Sequence, residues 1–130
     1  MPGYRPADAE IKAALRDFFR LVNDDARPFK VGRCADVDFE GLWNREEYSP
    51  AHDITRVFVG SAQEAVWLEI GLIRVGWEKY PDRSLNDQLG GGPTSEEEEH
   101  CVYVVRFPDK KKYRLRAQVL WLQRLVDESA

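Results

Sequence analysis

Apolar residues recur at helical spacing in three stretches of the chain. In 8–22 and 61–75 an apolar position returns every three or four residues. The second stretch opens with Ser61 and Glu64 at capping-box spacing and is expected to end before Gly76. A third helix is predicted near 117–128, and all three are expected to pack an apolar face into one core. The apolar face predicted for the third helix consists of Val119, Leu122 and Val126, and it is widened by Leu120, Trp121 and Leu125.

Residues 29–34 and 54–60 alternate apolar and polar residues, which is typical of strands, and 101–107 is the strongest predicted strand. Residues 113–116 follow a Pro-Asp-Lys turn and are predicted to return as a hairpin partner of the third strand. Residues 35–53 are irregular, with a short helical turn near 41–47. The chain, 1–130, is therefore predicted to be a single α+β domain, with a small mixed or antiparallel sheet flanked by about three helices.

One acidic residue stands in the middle of an apolar helical face. The helical wheel of 61–75 surrounds Glu69 with the apolar residues Ala62, Ala65, Val66, Leu68, Leu72 and Ile73. An ionised carboxylate in such a place costs several kcal/mol unless a cation, a metal or hydrogen-bond donors meet it. Glu69 is therefore either a functional residue or a glutamate at the rim of the core that pairs with an arginine.

Charge and cysteine content narrow the function classes. The net charge of -4 argues against a protein that coats nucleic acid through bulk electrostatics, although it leaves room for a local basic patch. The sequence has no apolar leader and no uncharged run of about 20 residues, so a cytoplasmic protein is expected. Cys34 and Cys101 fit neither a zinc spacing nor a CxxC motif, and free thiols are predicted.

Residues 29–92 resemble the GIY-YIG nuclease superfamily. The KVG sequence at 30–32, followed by Arg33, looks like the YIG element of that family. The helix sequence AVWLEIGLI, which contains Glu69, looks like the family's glutamate-bearing helix, and Asn86 ahead of a glycine run looks like its terminal asparagine. By this division, 1–28 is an N-terminal helix, and 93–130 comprises an acidic loop, a strand or hairpin and a C-terminal helix.

The resemblance implies cleavage of phosphodiester bonds with a single Mg²⁺ ion, which Glu69 would bind. Such a hard cation prefers oxygen ligands and would stabilise the carboxylate. An arginine, Arg33 or Arg45, would balance the charge that develops on the phosphoryl oxygens. Asn86 would complete the site.

Two departures from the family pattern bear on catalysis. Lys30 stands where the family has the YIG tyrosine. The family's GIY strand would lie about ten residues upstream, where 18–23 has the pattern of a helix end. Tyr48 is the candidate substitute for the missing phenol, and the other interpretation is a relative that has lost catalysis.

A basic and aromatic stretch near the C-terminus is a candidate nucleic-acid surface. Lys111, Lys112 and Arg114 surround a tyrosine on the predicted hairpin, and Lys30 and Arg45 would add to the positive charge. Such a surface can hold a phosphate backbone and stack a base. The alternative is a solvated edge strand whose lysines prevent pairing between sheets.

A protein partner is the competing prediction, in which the chain is a non-catalytic interaction module. Trp67 lies on the polar arc of its helix, so it is predicted to be exposed, and exposed tryptophans are enriched at interfaces. The acidic run 96–99 would belong to the same surface. The alternatives for that run are a solvated loop tip and, with His100, a metal site.

Overall fold

The computed structural model describes residues 5–23, 26–90 and 98–129, and three strands form one antiparallel sheet. The strands are β1 (Phe29–Ala35), β2 (Asp53–Gly60) and β3 (His100–Arg106), in the order β1-β3-β2. The helices are α1 (Asp8–Asn23), α2 (Ala62–Lys79) and α3 (Lys111–Ser129), and two 3-10 segments, Asp36–Asn44 and Glu46–Tyr48, join β1 to β2. The predicted α+β fold is confirmed. In the described part of the chain, no helix is long and apolar enough to cross a membrane.

Strand β3 is the centre of the sheet because both of its edges are paired and both of its faces are covered. Its residues from His100 to Val105 are all buried, as expected for a strand packed on two sides. The predicted hairpin partner at 113–116 is wrong, since these residues lie in the first turns of α3. With β1 and β2 on either side, β3 has no edge left for a further strand.

The sheet separates two clusters of buried side chains. On the helical face, α1 and α2 cover the sheet with Phe18, Val22, Phe29, Val31, Leu68, Leu72 and Val104 among the buried residues. The opposite face is covered by the 3-10 segments and the start of α3, and its cluster includes Cys34, Leu42, Tyr48, Ile54, Tyr103 and Phe107. Successive residues of β1 and β3 face opposite sides, so neighbours in sequence belong to different clusters. In β2 the register shifts between Arg56 and Phe58, and the neighbours Val57 and Phe58 belong to the same cluster.

Helix α2 begins as predicted and ends later. The Ser61 hydroxyl accepts a hydrogen bond from the Glu64 amide at 3.2 Å, and the Glu64 carboxylate accepts one from the Ser61 amide at 3.1 Å, which completes the capping box. The predicted end before Gly76 is wrong, because Gly76 is a buried residue inside a helix that continues to Lys79. The Tyr80 amide then donates to the Gly76 carbonyl at 2.8 Å.

Helix α3 presents the centre of its predicted apolar face to solvent. Val119, Leu122 and Val126 are 57%, 53% and 68% exposed, whereas Ala117 and Leu120 are buried. The prediction that the first three lie on the core face is wrong, and only Leu120 at the margin of the predicted face is buried, since α3 packs on the domain through a narrow strip around Ala117 and Leu120. Apolar spacing identified the helix but not the side that the domain covers.

Candidate functional site

The Glu69 carboxylate forms a buried ion pair with Arg33. Strand β1 directs Arg33 to the helical face of the sheet, where α2 passes over it. The Arg33 Nε atom lies 3.4 Å from Glu69 Oε1, and the two side chains are 4% and 8% exposed. The prediction that Glu69 is buried is therefore confirmed, and its partner is one of the arginines considered for the site.

Two more residues lie next to this ion pair. His100, at the start of β3, lies with its Nδ1 atom 2.9 Å from an Arg33 guanidinium nitrogen. Gly90 approaches the carboxylate from the loop after α2, with a φ of +93°, and a Cβ atom built on it would lie 2.6 Å from Glu69 Oε1. A side chain at position 90 would therefore be strained and would collide with the carboxylate.

Burial raises the pKa of the Glu69 carboxyl above its ordinary value of 4.5, and the nearby Arg33 guanidinium opposes that rise. The direction follows from the loss of water around a charged group in the core. Arginine keeps its proton at any physiological pH. The ion pair is therefore asymmetric, because its acid can be neutralised by a proton and its cation cannot.

Asn86 lies beside β1 and is bound to its backbone. Its side-chain oxygen accepts a hydrogen bond from the Val31 amide at 2.9 Å, and its side-chain nitrogen donates to the Val31 carbonyl at 2.8 Å. Neighbouring loop residues continue the contact, since the Leu85 amide donates to the Phe29 carbonyl at 2.8 Å. Asn86 thus satisfies backbone groups at the open edge of β1, which requires a donor and an acceptor on one side chain.

Tyr48 lies on the other face of the sheet from Glu69. Its phenol oxygen is 3.2 Å from that of Tyr103 on β3, and burial raises the pKa of the Tyr103 phenol. Tyr103 stands opposite Gly32 in the strand register, and a Cβ atom built on Gly32 would lie 2.4 Å from the Tyr103 ring. The sheet therefore separates both phenols from the Glu69 carboxylate.

Several predicted basic residues meet at an aromatic groove. This basic groove is defined by Lys30, Tyr48, Tyr113 and Arg116, has a cavity of about 360 Å³ and is also lined by Glu47, Leu85, Asp87 and Phe107. The Lys30 ammonium lies 5.7 Å from the centre of the Tyr48 ring, and the Arg45 guanidinium lies 5.9 Å from it. The Lys112 ammonium lies 5.0 Å from the centre of the Tyr113 ring. Arg116, the last residue of the basic stretch 110–116 in the sequence, lines this groove, and its place there depends on how α3 docks.

The remaining basic residues of the prediction are less concentrated. Arg114 forms a bidentate ion pair with Asp109, with one of its two contacts at 2.8 Å, and this pair is exposed. Lys111 is an exposed residue at the first position of α3. Arg114 therefore contributes less net positive charge to this surface than its sequence position suggests.

The two cysteines face each other across β1 and β3. Cys34 and Cys101 are register partners, their sulfur atoms are 3.7 Å apart, and both are free and buried. The predicted free thiols are confirmed. Burial is the main reason that the pKa of the Cys101 thiol is raised to about 12, so the reactive thiolate is scarce at neutral pH.

The predicted surface for a protein partner lies partly outside the described residues. Trp67 is 42% exposed, which confirms its predicted position on the outer side of α2, and the Arg5 guanidinium lies 5.9 Å from its ring. Residues 96 and 97 of the acidic run lie outside the described ranges, as do the glycines 91 and 92, whereas Glu98 and Glu99 are exposed.

The proposal that Glu69 binds a magnesium ion stays a prediction. In residues 5–23, 26–90 and 98–129, no three His, Cys, Asp or Glu side chains are grouped so that they could hold a metal ion. A magnesium ion requires several oxygen ligands, and the Glu69 carboxylate already faces the Arg33 guanidinium.

No family profile, curated protein or solved structure compared with this chain matches it.

Proposed function

We propose that the chain is a non-catalytic, nucleic-acid-binding relative of the GIY-YIG nucleases that binds a phosphate backbone in the basic groove. The observation that carries the proposal is the convergence of Lys30, Arg45, Lys112 and Arg116 around Tyr48 and Tyr113. These residues come from β1, the 3-10 region and α3. A concave surface that gathers cations from separate elements suits a charged backbone better than a solvated helix face does.

The pairing of β1 supports the resemblance in an altered chain order. The family pattern has a tyrosine-bearing strand upstream of the YIG-like strand, where this chain has the end of α1. A tyrosine-bearing strand nevertheless pairs antiparallel with β1, and Tyr103 stands opposite Gly32. This strand, β3, follows α2 in sequence. The two strands are then the same pair in a permuted order.

Three features argue for binding without catalysis. The Glu69 carboxylate is bound by Arg33 within the core, and the phenols of Tyr48 and Tyr103 lie across the sheet from it. Asn86 is hydrogen-bonded to the Val31 backbone through both polar atoms of its side chain. In this arrangement Arg33, Glu69 and Asn86 stabilise β1 and its contact with α2.

The basic groove is suited to a single strand more than to a duplex. Its cavity is small, at about 360 Å³, and an aromatic ring next to cations can accept a base while the cations hold phosphates. Tyr113 is half-buried, so part of its ring faces outward, whereas Tyr48 is buried and supports the cations. Glu47 and Asp87 at the rim oppose part of the positive charge, which limits the expected affinity.

Fluorescence anisotropy with labelled single-stranded and duplex oligonucleotides of about 12 nucleotides tests the proposal. We expect the single strand to bind more tightly, with an affinity that falls as salt rises. Lys30→Glu and Arg116→Glu should each weaken binding by about tenfold and lower the salt slope by about 1. Binding that does not depend on salt, or is equal in these variants and the wild type, contradicts the proposal.

Lys12→Glu and Arg16→Glu are matched controls for the charge reversals. Both residues are exposed on α1, which packs on the opposite face of the sheet. They change the net charge by the same amount as the groove variants. A similar loss of affinity in controls and groove variants would assign the effect to overall charge and not to the groove.

Cleavage with Mg²⁺ at Glu69 is the second candidate, and the cluster of Arg33, Glu69 and His100 favours it. These three side chains bring a cation, an acid and an imidazole together beside the KVG element. Incubation of plasmid and oligonucleotide substrates with and without Mg²⁺ tests it, with Glu69→Gln alongside the wild type. Mg²⁺-dependent cleavage that Glu69→Gln abolishes would replace the binding proposal with a catalytic one.

A further inference from the structure

Four apolar residues form an exposed stripe along α3. The α3 stripe consists of Leu115, Val119, Leu122 and Val126, which are 49%, 57%, 53% and 68% exposed. It lies on the side of the helix opposite Ala117 and Leu120, the buried residues through which α3 packs on the domain. The stripe is therefore directed away from the rest of the described residues.

The spacing of the α3 stripe is that of a coiled-coil seam. Its members are separated by four, three and four residues, which places leucine at both d positions and valine at both a positions of two heptads. In two-stranded coiled coils, β-branched residues at a and leucine at d favour a pair of helices. The occupant that fits such a seam is another helix with the same spacing, and a second copy of α3 supplies one.

Charge decides how a second copy would be oriented. The first half of α3 is basic, with Lys111, Lys112 and Arg116, whereas Asp127 and Glu128 lie near its end. A parallel pair would place Lys112 against itself at an a position and Lys111 beside Arg116, which is repulsive. An antiparallel pair brings the acidic end of each helix to the basic start of the other, and it also opposes the two helix dipoles.

We propose that two copies of this chain associate through an antiparallel, two-fold symmetric contact between their α3 stripes. In this arrangement Leu115 packs against Val126 of the second copy, and Val119 packs against Leu122, so that each layer has one leucine and one valine. Such a contact is self-complementary, as a two-fold interface requires. Two heptads form a small interface, so a weak and concentration-dependent dimer is expected. This inference does not depend on the proposed binding of nucleic acid.

Sedimentation equilibrium from micromolar concentrations to about 0.5 mM tests the association. We expect a monomer–dimer equilibrium that Leu122→Glu weakens by about tenfold or more. Leu122 is exposed in the monomer, so circular dichroism should show that this variant is folded. Val37→Glu, which changes an 81% exposed residue in the 3-10 region, is the matched control and should dimerise as the wild type does. A monomer over the whole range, or a dimer that Leu122→Glu leaves unchanged, overturns the proposal.

Cysteine pairs test the orientation. In an antiparallel dimer, position 115 of one copy is next to position 126 of the other, whereas the two copies of position 115 are roughly 16 Å apart. A mixture of the Leu115→Cys and Val126→Cys proteins should therefore give a disulfide-linked dimer under mild oxidation, and Leu115→Cys alone should not. The native thiols are buried and add little background. Efficient crosslinking of Leu115→Cys alone would show a parallel pair and overturn the proposed arrangement.

Discussion

Helices α2 and α3 are nearly equal in length, at 18 and 19 residues, but the fold covers them very differently. Helix α2 lies on a sheet face and buries an apolar side together with the charged Glu69. Helix α3 buries Ala117 and Leu120 and exposes its larger leucine and valine residues. One helix thus encloses a charge while the other leaves apolar side chains in water.

The difference shows that burial depends on the surface available and not on the apolar content of a helix. Strands β1 and β3 offer α2 a wide apolar face, so the helix contributes a full side to the core. Helix α3 reaches only the rim of that domain. Each helix breaks the simple rule of apolar inside and polar outside, and such departures from local consistency are where function is expected.

The largest expected effect comes from breaking the ion pair that α2 buries. Glu69→Leu should lower the free energy of unfolding by about 3–5 kcal/mol, because it leaves the Arg33 guanidinium buried without the carboxylate. The double variant Arg33→Met with Glu69→Leu should recover much of that loss. Urea unfolding followed by circular dichroism measures both. A double variant no more stable than Glu69→Leu would contradict this account of the pair.

Replacing one leucine of each helix with alanine tests the difference in burial between α2 and α3. Leu72→Ala on α2 should lower the free energy of unfolding by about 3 kcal/mol, since Leu72 is 1% exposed and its removal leaves a cavity. Leu122→Ala on α3 should change it by about 0.5 kcal/mol or less at concentrations where the chain is monomeric. Urea unfolding of both variants in dilute solution is the measurement. Equal losses would mean that the α3 stripe is covered within the monomer.

Asn86 links the end of α2 to β1, and a single atom change tests that link. Asn86→Asp keeps the acceptor for the Val31 amide but removes the donor to the Val31 carbonyl, so it should cost about 2 kcal/mol at neutral pH. The carbonyl of Asn86 also accepts from Trp77 and Arg124, and this backbone contact is unchanged in the variant. Unfolding of Asn86→Asp beside Asp87→Asn, an exposed neighbour, measures the effect. A loss in Asp87→Asn as large as that in Asn86→Asp would contradict it.

The smallest expected effect is a pH trend from the acid that α2 buries. Because burial raises the pKa of Glu69 above 4.5, the folded state favours the protonated form. This stabilisation is fully present below the pKa of the unfolded chain and is lost as pH rises through the folded pKa. We therefore expect the stability of the wild type, relative to Glu69→Gln, to decrease as pH rises above 4.5. Urea midpoints at several pH values measure the difference, and an increase with pH would contradict the prediction.

Local sequence signals predicted the elements well where the chain pattern and the packing agree. The strands β1 and β2, the capping box of α2 and the apolar face around Glu69 all appear in the structure. The boundary at Gly76 and the hairpin at 113–116 were wrong, because both depended on which elements lie next to them. Spacing along the chain does not contain that information.

The candidate site was predictable in composition but not in arrangement. The sequence showed an acid that needed a partner, and it included Arg33 among the candidates. It did not show that Tyr48 lies across the sheet or that Asn86 is bound to Val31. It also did not place Arg116 beside Lys30, since those two residues come together only when α3 docks against the groove.

The sequence by itself determined the α+β class, because hydrophobic periodicity distinguishes helices from strands. It also determined the burial of Glu69 and the exposure of Trp67, because α2 packs with the apolar side that its periodicity marks. The tertiary structure alone decided that β3 lies between β1 and β2, that Arg33 is the partner of Glu69, and that the apolar stripe of α3 faces outward. Those outcomes depend on contacts between residues far apart in the chain. Such contacts depend on which helices and strands pack against the few apolar surfaces of the sheet, and a local sequence pattern does not specify that packing.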